Sequence, residues 1–253
     1  MNTRRNFMRG LTGLGAIVAT GHAPAIVKSM IAARGTMLGG AHAWTNPYIT
    51  DGLIAMWDGV WNAGGGVHDA EATTWLDIVG GRTLSLSGSA AFGANYMETI
   101  DDVSGAIGDF DLYAEYFEMV LYVGRTADWF SIIDGLSGKW VWGEPQNYGN
   151  QNAGISYLYW GGTADPHADG IMQVAMSLDG SVCTVNGRSV EVDTRYSDDA
   201  IGPFAIFGNV DNIGEDRCCR GKCYSARFYS AIPNASQRSA NLEIDKQRFN
   251  LAS

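Results

Sequence analysis

The sequence predicts an all-β protein, an antiparallel sandwich or barrel with one short helix near the carboxyl end. Short apolar segments recur along the chain between Gly, Asp and Asn residues. The clearest segments place alternate residues on opposite faces, which is the period of a β-strand. Glycine supplies 33 of the 253 residues, about twice its usual share, as a chain with many tight turns requires.

Size and composition narrow the classes of function. A length of 253 residues fits one sandwich domain, and 46% apolar residues are enough to bury a core. The net charge of −10 disfavours nucleic-acid binding, because the phosphate backbone is recognised by clustered cations. Four Cys residues are too few for a disulfide framework in a chain of this length.

Residues 1–25 are predicted to be a signal peptide. The basic start, with Arg4, Arg5 and Phe7, resembles the twin-arginine export signal. An uncharged, glycine-rich stretch follows, and Ala23-Pro24-Ala25 suits a signal peptidase that cleaves after Ala25. We expect export to the periplasm, the medium or the surface of a bacterium. Similar starts also head virion proteins of tailed phages, and the stretch is too polar for a transmembrane span.

Residues 26–46 are predicted to be a linker or N-terminal arm, because they are rich in Ala, Gly and Met and show no strong period. Regular patterning begins after Pro47, so the domain is placed at 47–253. Its predicted strands share short length and flanking turn residues: 53–57, 83–86, 91–96, 113–123, 129–133, 139–142, 155–160, 171–177, 182–185, 189–192, 204–207 and 223–229.

Two turns and one helix have specific local signals. Asp179-Gly180 and Asn186-Gly187 are dipeptides that supply positive φ angles, and we expect each to form a two-residue hairpin loop. Asn234 can cap a C-terminal helix, with Gln237 at the spacing of a capping box. Ile244 lies on the face of that helix expected to pack on the sandwich.

Four segments, in order, resemble the laminin G-like domains of the concanavalin A-like lectin superfamily. They are Gly52-Leu53-Ile54-Ala55-Met56-Trp57, Thr74-Trp75-Leu76-Asp77-Ile78-Val79-Gly80-Gly81, Ser177-Leu178-Asp179-Gly180 with Val185-Asn186-Gly187, and Gly221-Lys222-Cys223-Tyr224-Ser225-Ala226-Arg227-Phe228-Tyr229-Ser230. The resemblance covers about residues 50–250 and implies an antiparallel jelly roll with Trp57 and Trp75 in its core. It departs from the family at Ala231-Ile232-Pro233, and residues 100–170 match no motif of the family.

The sequence carries no recognised catalytic pattern, and we predict that the protein is not an enzyme. No Gly-x-Ser-x-Gly nucleophile elbow occurs. Jelly-roll glucanases carry Glu-x-Asp-x-(x)-Glu on one strand, which aligns the acid and the nucleophile. The nearest partial match to this motif is Glu243-Ile244-Asp245, which lacks the third acid. It falls on the predicted helix, where we expect its two carboxylates to lie on a solvated face. Glu115 and Glu118 fall on opposite faces of a predicted strand.

Calcium is the one cofactor left open, since the resemblance implies a loop site for it. Candidate ligands are the loop pairs Asp101 with Asp102 or Asp198 with Asp199. Neither pair fits an EF-hand, and a solvated acidic loop without calcium is the favoured alternative for each.

The four cysteines also lack a metal-binding pattern. Cys218, Cys219 and Cys223 do not have the usual zinc spacing. Cys223 is predicted to be a core residue, and Cys183 is either a core residue or a partner of Cys218 or Cys219.

Aromatic residues are the best ligand candidates, because sugar rings stack on aromatic faces. The predicted ligand-binding residues lie in or beside loops: Trp61, Trp129, Trp140, Trp142, Tyr148 and Asn150. We therefore predict a non-catalytic binding module for a glycan or a surface protein. The first alternative is a structural protein of a phage virion, an appendage or decoration protein with the same fold. The second is an atypical glycoside hydrolase.

Overall fold

A computed structural model shows the domain as two stacked β-sheets with a helix on one of them. It describes residues 45–101, 104–124, 130–137, 139–144, 157–159, 170–189, 192–193, 203–208 and 219–251. All of these belong to the second of two compact units, Ala41–Ser253. The predicted signal residues Arg4, Arg5, Phe7, Ala23 and Ala25 lie outside the described residues.

The secondary structure of the described residues is mostly strand. In chain order the elements are β1 (Leu53–Asp58), β2 (Thr74–Leu76), β3 (Thr83–Ser87), β4 (Ala91–Phe92), β5 (Met97–Thr99), β6 (Gly105–Ile107), β7 (Tyr116–Val123), β8 (Phe130–Leu136), β9 (Lys139–Glu144), β10 (Tyr157–Tyr159), β11 (Met172–Ser177), β12 (Cys183–Val185), β13 (Arg188–Ser189), β14 (Val192–Asp193), β15 (Ala205–Ile206), β16 (Gly221–Tyr229) and the helix α1 (Ala235–Phe249). Within the described ranges, no helix is both long and apolar enough to cross a bilayer.

The strands form two sheets of eight. Sheet 1 has the order β13-β12-β11-β7-β16-β5-β4, with β1 also paired to β16. Sheet 2 has the order β14-β10-β9-β8-β15-β6-β3-β2. The pairs between named strands are antiparallel except that of β9 with β10, which is parallel. Because the chain passes repeatedly between the two sheets, the predicted all-β sandwich with a C-terminal helix is confirmed.

The core lies between the sheets and is centred on aromatic side chains. Trp57 stacks on Phe204 with ring centroids 5.3 Å apart and meets the edge of Phe228 at 5.7 Å. Trp57 and Trp75 are fully buried, as predicted. The indole N–H of Trp57 donates to the Trp75 carbonyl, and that of Trp75 donates to the Asp58 carbonyl. Both rings can therefore be buried without an unsatisfied donor.

The helix begins as the sequence predicts but buries a different set of residues. Asn234 and Gln237 form a complete capping box. The buried face consists of Asn241, Ile244, Asp245 and Phe249. The expectation of a solvated face was therefore wrong for Asp245, although Glu243 is exposed. Asp245 lies one helical turn after Asn241, so both point to a buried arginine of sheet 1 and its partners.

The two predicted hairpin loops differ in length. Asn186 and Gly187, with φ of 50° and 79°, form the predicted two-residue turn, and Val185 pairs with Arg188. At Asp179-Gly180 the loop instead spans four residues, since the Ser177 N–H donates to the Val182 carbonyl. The Asp179 carboxylate explains the longer loop, because it accepts hydrogen bonds from the Ser177 hydroxyl and the Ser181 N–H. These bonds lower the pKa of Asp179 to about 2.

Candidate functional site

The outer face of sheet 1 is occupied by α1. Val120 and Tyr224 on the sheet pack with Phe249 and Leu251 in an apolar cluster separate from the main core. The alternation of β7 explains why this side exists: Phe117, Met119 and Leu121 enter the core, so Val120 faces the helix.

A buried ion-pair network joins sheet 1 to α1. The Arg227 guanidinium on β16 donates to both carboxylate oxygens of Asp245, at 2.9 and 2.5 Å. Its Nε donates to Glu118 on β7 at 3.2 Å. All three side chains are at most 1% exposed. Asn241 completes the cluster, since its amide donates to Glu118 at 2.8 Å. We call Glu118, Arg227, Asn241 and Asp245 the clasp.

The start of the domain is fastened to the same clasp. The Tyr48 hydroxyl donates to Asp245 and accepts from Arg248, both at 2.7 Å. The Tyr48 ring lies under Arg227, whose guanidinium carbon is 3.8 Å from the ring centroid. Arg248 in turn pairs with Asp58 at 2.8 Å. The clasp therefore ties the residues before β1 to the last turn of the helix.

The clasp is suited to structure rather than to chemistry. Burial raises the pKa of Glu118, although Arg227 opposes this effect. Burial likewise raises the pKa of Tyr48 and Tyr116. Tyr48, Tyr116 and Glu118 are buried and hydrogen-bonded within the protein, as expected of a structural network.

The turn after β2, which belongs to the second segment of the laminin G-like resemblance, is also structural in this chain. One carboxylate oxygen of Asp77 accepts from the N–H groups of Met56, Val79 and Gly80, at 2.9 to 3.0 Å. The other pairs with Arg82 at 3.0 Å. Asp77 therefore joins β1 to the turn and is not available as a metal ligand.

The outer face of sheet 2 is identified by strand register. Ile133 on β8 is a core residue and pairs with Ile206 on β15. Asp134 and Ala205 are the next pair along these strands. Because successive residues of a strand face opposite sides, this pair lies on the outer face. Ser131 lies on the same face, since it pairs with Trp142, next to the partner of Ile133.

Several outer-face residues of sheet 2 are nevertheless buried. Ser131 and Ala205 are fully buried, and Asp134 is 1% exposed. The Ser131 hydroxyl has no hydrogen-bond partner. Directly after β15, Phe207 adopts a φ of 59° and Gly208 comes to lie on this face against Gly105. Sequence reasoning missed these residues, because nothing in the short segments marks them.

The predicted aromatic residues do not form one cluster. Trp140 and Trp142 are on β9, at the alternate register positions of the outer face of sheet 2. Trp61 follows β1 beside β2, where the Leu76 N–H donates to the Asn62 carbonyl. β2 and β9 are five strand positions apart, which is about 24 Å. Trp129, Tyr148 and Asn150 lie outside the described residues.

Trp61 itself has one ring face occupied. It is half-buried, and the Arg248 guanidinium carbon lies 4.3 Å from its ring centroid. This cation–π contact joins the loop after β1 to the end of α1.

The metal and cysteine predictions have different outcomes. Asp101 is half-buried after β5, whereas Asp102, Asp198 and Asp199 are outside the described part of the chain. Among the residues that the structure describes, no three His, Cys, Asp or Glu side chains are grouped to hold a metal. Cys223 is buried in the core, as predicted.

The remaining described cysteines, Cys183 and Cys219, are also buried. Cys183 is a free, buried thiol, and burial raises its pKa to about 12. Cys219 is fully buried. Of the two readings of Cys183, the structure shows the core residue. Cys218 is outside the described residues.

One feature of the sequence could have indicated the buried ion pairs of the clasp. Arg227 stands within a predicted apolar strand, and a cation at such a position requires a carboxylate partner if it is buried. The partners, Glu118 and Asp245, are 109 and 18 residues away. No spacing rule connects residues at these separations.

Comparison with known proteins shows similarity at the level of the fold. No protein-family model and no curated protein matches this chain. Its structure is similar to Trypanosoma rangeli sialidase in complex with sialic acid, with a TM-score of 0.50 and 11% identity over 90% of this chain. The chain spans 38% of the length of that sialidase.

Two structures with lower TM-scores are an arabinanase domain in complex with arabinotriose and the binding domain of a mosquitocidal protein. One is domain 4 of AbnA, a GH43 extracellular arabinanase from Geobacillus stearothermophilus, with a TM-score of 0.42 and 17% identity over 75% of this chain and 97% of that domain. The other is the binding domain of Paraclostridial Mosquitocidal Protein 1, with a TM-score of 0.46 and 8% identity over 77% of this chain and 52% of that chain.

Proposed function

We propose that this protein is a non-catalytic binding module of the laminin G-like type, and that the outer face of sheet 2 recognises a carbohydrate. The observation that carries the proposal is the register of β9. It puts Trp140 and Trp142 on the outer face of an interior strand of sheet 2. The outer face of sheet 1 is closed by α1.

The spacing of the two tryptophans suits a sugar chain. Residues two apart on a strand are separated by roughly 6.6 Å and share a face. Two tryptophans at neighbouring positions of one face are a residue pattern that suits successive sugar rings, because aromatic rings stack on the apolar faces of sugars. Trp61 is not part of this surface, because it lies five strands away and is already stacked by Arg248.

The absence of catalysis is part of the proposal. Glycosidases need two carboxyl groups facing the scissile bond across roughly 5–10 Å. Glu118 and Asp245 share one guanidinium, but both are buried under α1. Glu115 is exposed and precedes β7, so it is not paired with Glu118 on one face.

A glycan-array screen of the full chain, run with Ca²⁺ and with chelator, tests the proposal. We expect binding to be lost in Trp142→Ala and retained in Trp61→Ala, which is the control beside β2, five strand positions from β9. If glycan binding is lost when the chelator removes Ca²⁺ but not in the tryptophan variants, the binding site lies at the acidic loops instead. A blank array under both conditions would contradict sugar recognition and favour the virion alternative.

We also propose that the protein is exported. The twin-arginine-like start supports this, and the intact mass of the full chain expressed in a bacterial host tests it. Loss of residues 1–25 is the expected result. A retained N-terminus would favour assembly into a virion.

A further inference from the structure

The two ends of the described domain do not belong to its main core. The buried side chains packed between the sheets come from the strands and their loops, and within the described ranges none comes from residues 45–50 or from α1. The end of α1 instead has the small apolar cluster that contains Phe249 and Leu251. Because buried apolar contacts decide how firmly a segment is held, these ends depend on a separate source of stability.

The segment before β1 is bonded to side chains of α1. We call residues 46–49 the strap. Tyr48 is its buried residue, and the other three are half-buried. The Ile49 N–H donates to the side-chain oxygen of Asn241 at 3.1 Å, and the Tyr48 hydroxyl donates to Asp245 at 2.7 Å. The strap is therefore held through two residues of the helix.

The same two helix residues are bonded to sheet 1. The Asn241 amide donates to Glu118 at 2.8 Å and to the Tyr229 hydroxyl at 2.9 Å. Asp245 accepts from Arg227 at 2.9 Å. Each helix residue thus bonds the strap and the sheet at the same time. Groups that share partners in one network lose their bonds together, so release of α1 also releases the strap.

The charged part of this interface makes it separable from the sheet. A complete buried ion pair contributes little net stability, because the attraction between the charges only offsets the water that they lose. When α1 leaves sheet 1, Glu118, Arg227 and Asp245 all regain water. Separating the two sheets would instead expose the apolar core, which has no such compensation. Opening at α1 is therefore less costly than opening between the sheets.

We propose that the strap and α1 form one terminal unit, which opens as a whole while the two sheets stay folded. Proteins commonly open in such cooperative units, at a free energy below that of global unfolding. The terminal unit contains both ends of the described domain, so a pull on the chain before the strap acts on α1 as well. This device does not depend on carbohydrate recognition.

Hydrogen exchange of the full wild-type chain, resolved to single amides by NMR, tests the proposal. At urea concentrations below the unfolding transition, each amide reports the free energy of the opening that exposes it. The Ile49 amide and the central amides of α1 should share one opening free energy and one urea dependence. The amides of β7, an interior strand of sheet 1, should exchange at least about 10-fold more slowly.

A pair of tyrosine variants perturbs the strap alone. Tyr48→Phe keeps the ring but removes the hydroxyl, which bonds to Asp245 and Arg248 at 2.7 Å. Exchange should accelerate about 10- to 100-fold, by the same factor at Ile49 and in α1, and should not change in β7. Tyr113→Phe is the matched control, because Tyr113 is 70% exposed, and it should change none of these rates.

Each of three results would overturn the proposal. If Tyr48→Phe accelerates exchange at Ile49 but not in α1, the strap opens by itself. If β7 accelerates by the same factor as α1, the domain opens only as a whole. Unchanged rates at both Ile49 and α1 would show that the hydroxyl does not couple the two segments. If Tyr48→Phe does not fold, the urea series on the wild type decides the question, since equal opening free energies in α1 and β7 contradict a separate unit.

Discussion

Asp245→Asn should destabilise the domain far more than its position on a short terminal helix suggests. The Asp245 carboxylate accepts four hydrogen bonds, two from Arg227 and one each from Gln173 and Tyr48. An amide removes the charge and replaces one acceptor by a donor, which leaves Arg227 buried with Glu118 alone. Removing one partner of a buried pair costs about 3–5 kcal/mol. For a domain of this size that is a fall of roughly 6–20 °C in melting temperature.

The matched control is Glu243→Gln, two residues earlier on the same helix. Glu243 is 61% exposed, and its ion pair with Lys246 is 4.0 Å long. This change should shift the free energy of unfolding by less than about 0.5 kcal/mol. Urea titration and thermal unfolding followed by circular dichroism measure both variants. If Asp245→Asn unfolds within about 1 kcal/mol of the wild type, the clasp is not what holds α1 to sheet 1.

Three further predictions concern other parts of the domain. Burial raises the pKa of Glu118 above its ordinary value of 4.5. The contribution of Glu118 to the free energy of unfolding is therefore fully present below pH 4.5, and it is lost as the pH rises through the pKa that Glu118 has in the folded protein. Melting temperatures measured from pH 4.5 to neutrality should therefore vary less in Glu118→Gln, and an unchanged profile would contradict this. Gly187→Ala should cost about 1–3 kcal/mol in urea titration, because φ is 79°, and Gly187→Asn should be milder, since Asn tolerates that region. An equal cost for both would show that contact with Leu242 matters more than the backbone angle. The Cys183 thiol should resist alkylation until denaturant is added, since burial raises its pKa to about 12. Peptide mapping checks this, and labelling of the native protein would refute it.

The sequence was a good guide where the determinants lie close together along the chain. The first and last strands of the laminin G-like resemblance are β1 and β16, and they pair antiparallel. The capping box at Asn234 and the turn at Asn186-Gly187 were also located correctly. Each of these depends on residues within a few positions of one another, so spacing alone reveals them.

Strand boundaries failed where a short turn or a change of sheet interrupts a run. Of the predicted strand 91–96 only β4 is a strand; the rest is a turn, in which the Gly93 N–H donates to the Tyr96 carbonyl, and β5 begins at Met97. The predicted strand 189–192 is divided between β13 in sheet 1 and β14 in sheet 2. An alternating pattern does not record which sheet a residue joins, since both sheets have the same period.

The sequence by itself determined the all-β class, the main turns, the helix cap and the tryptophan core, because these follow from local periodicity and backbone preference. Only the tertiary structure decided that Asp245 is buried against Arg227, that Tyr48 reaches it from 197 residues away, and that Trp61 and Trp142 lie on separate parts of the sandwich. It also showed that Ser131 is buried without a partner. These facts depend on strand order and helix docking, which bring together residues that have no fixed spacing in the chain.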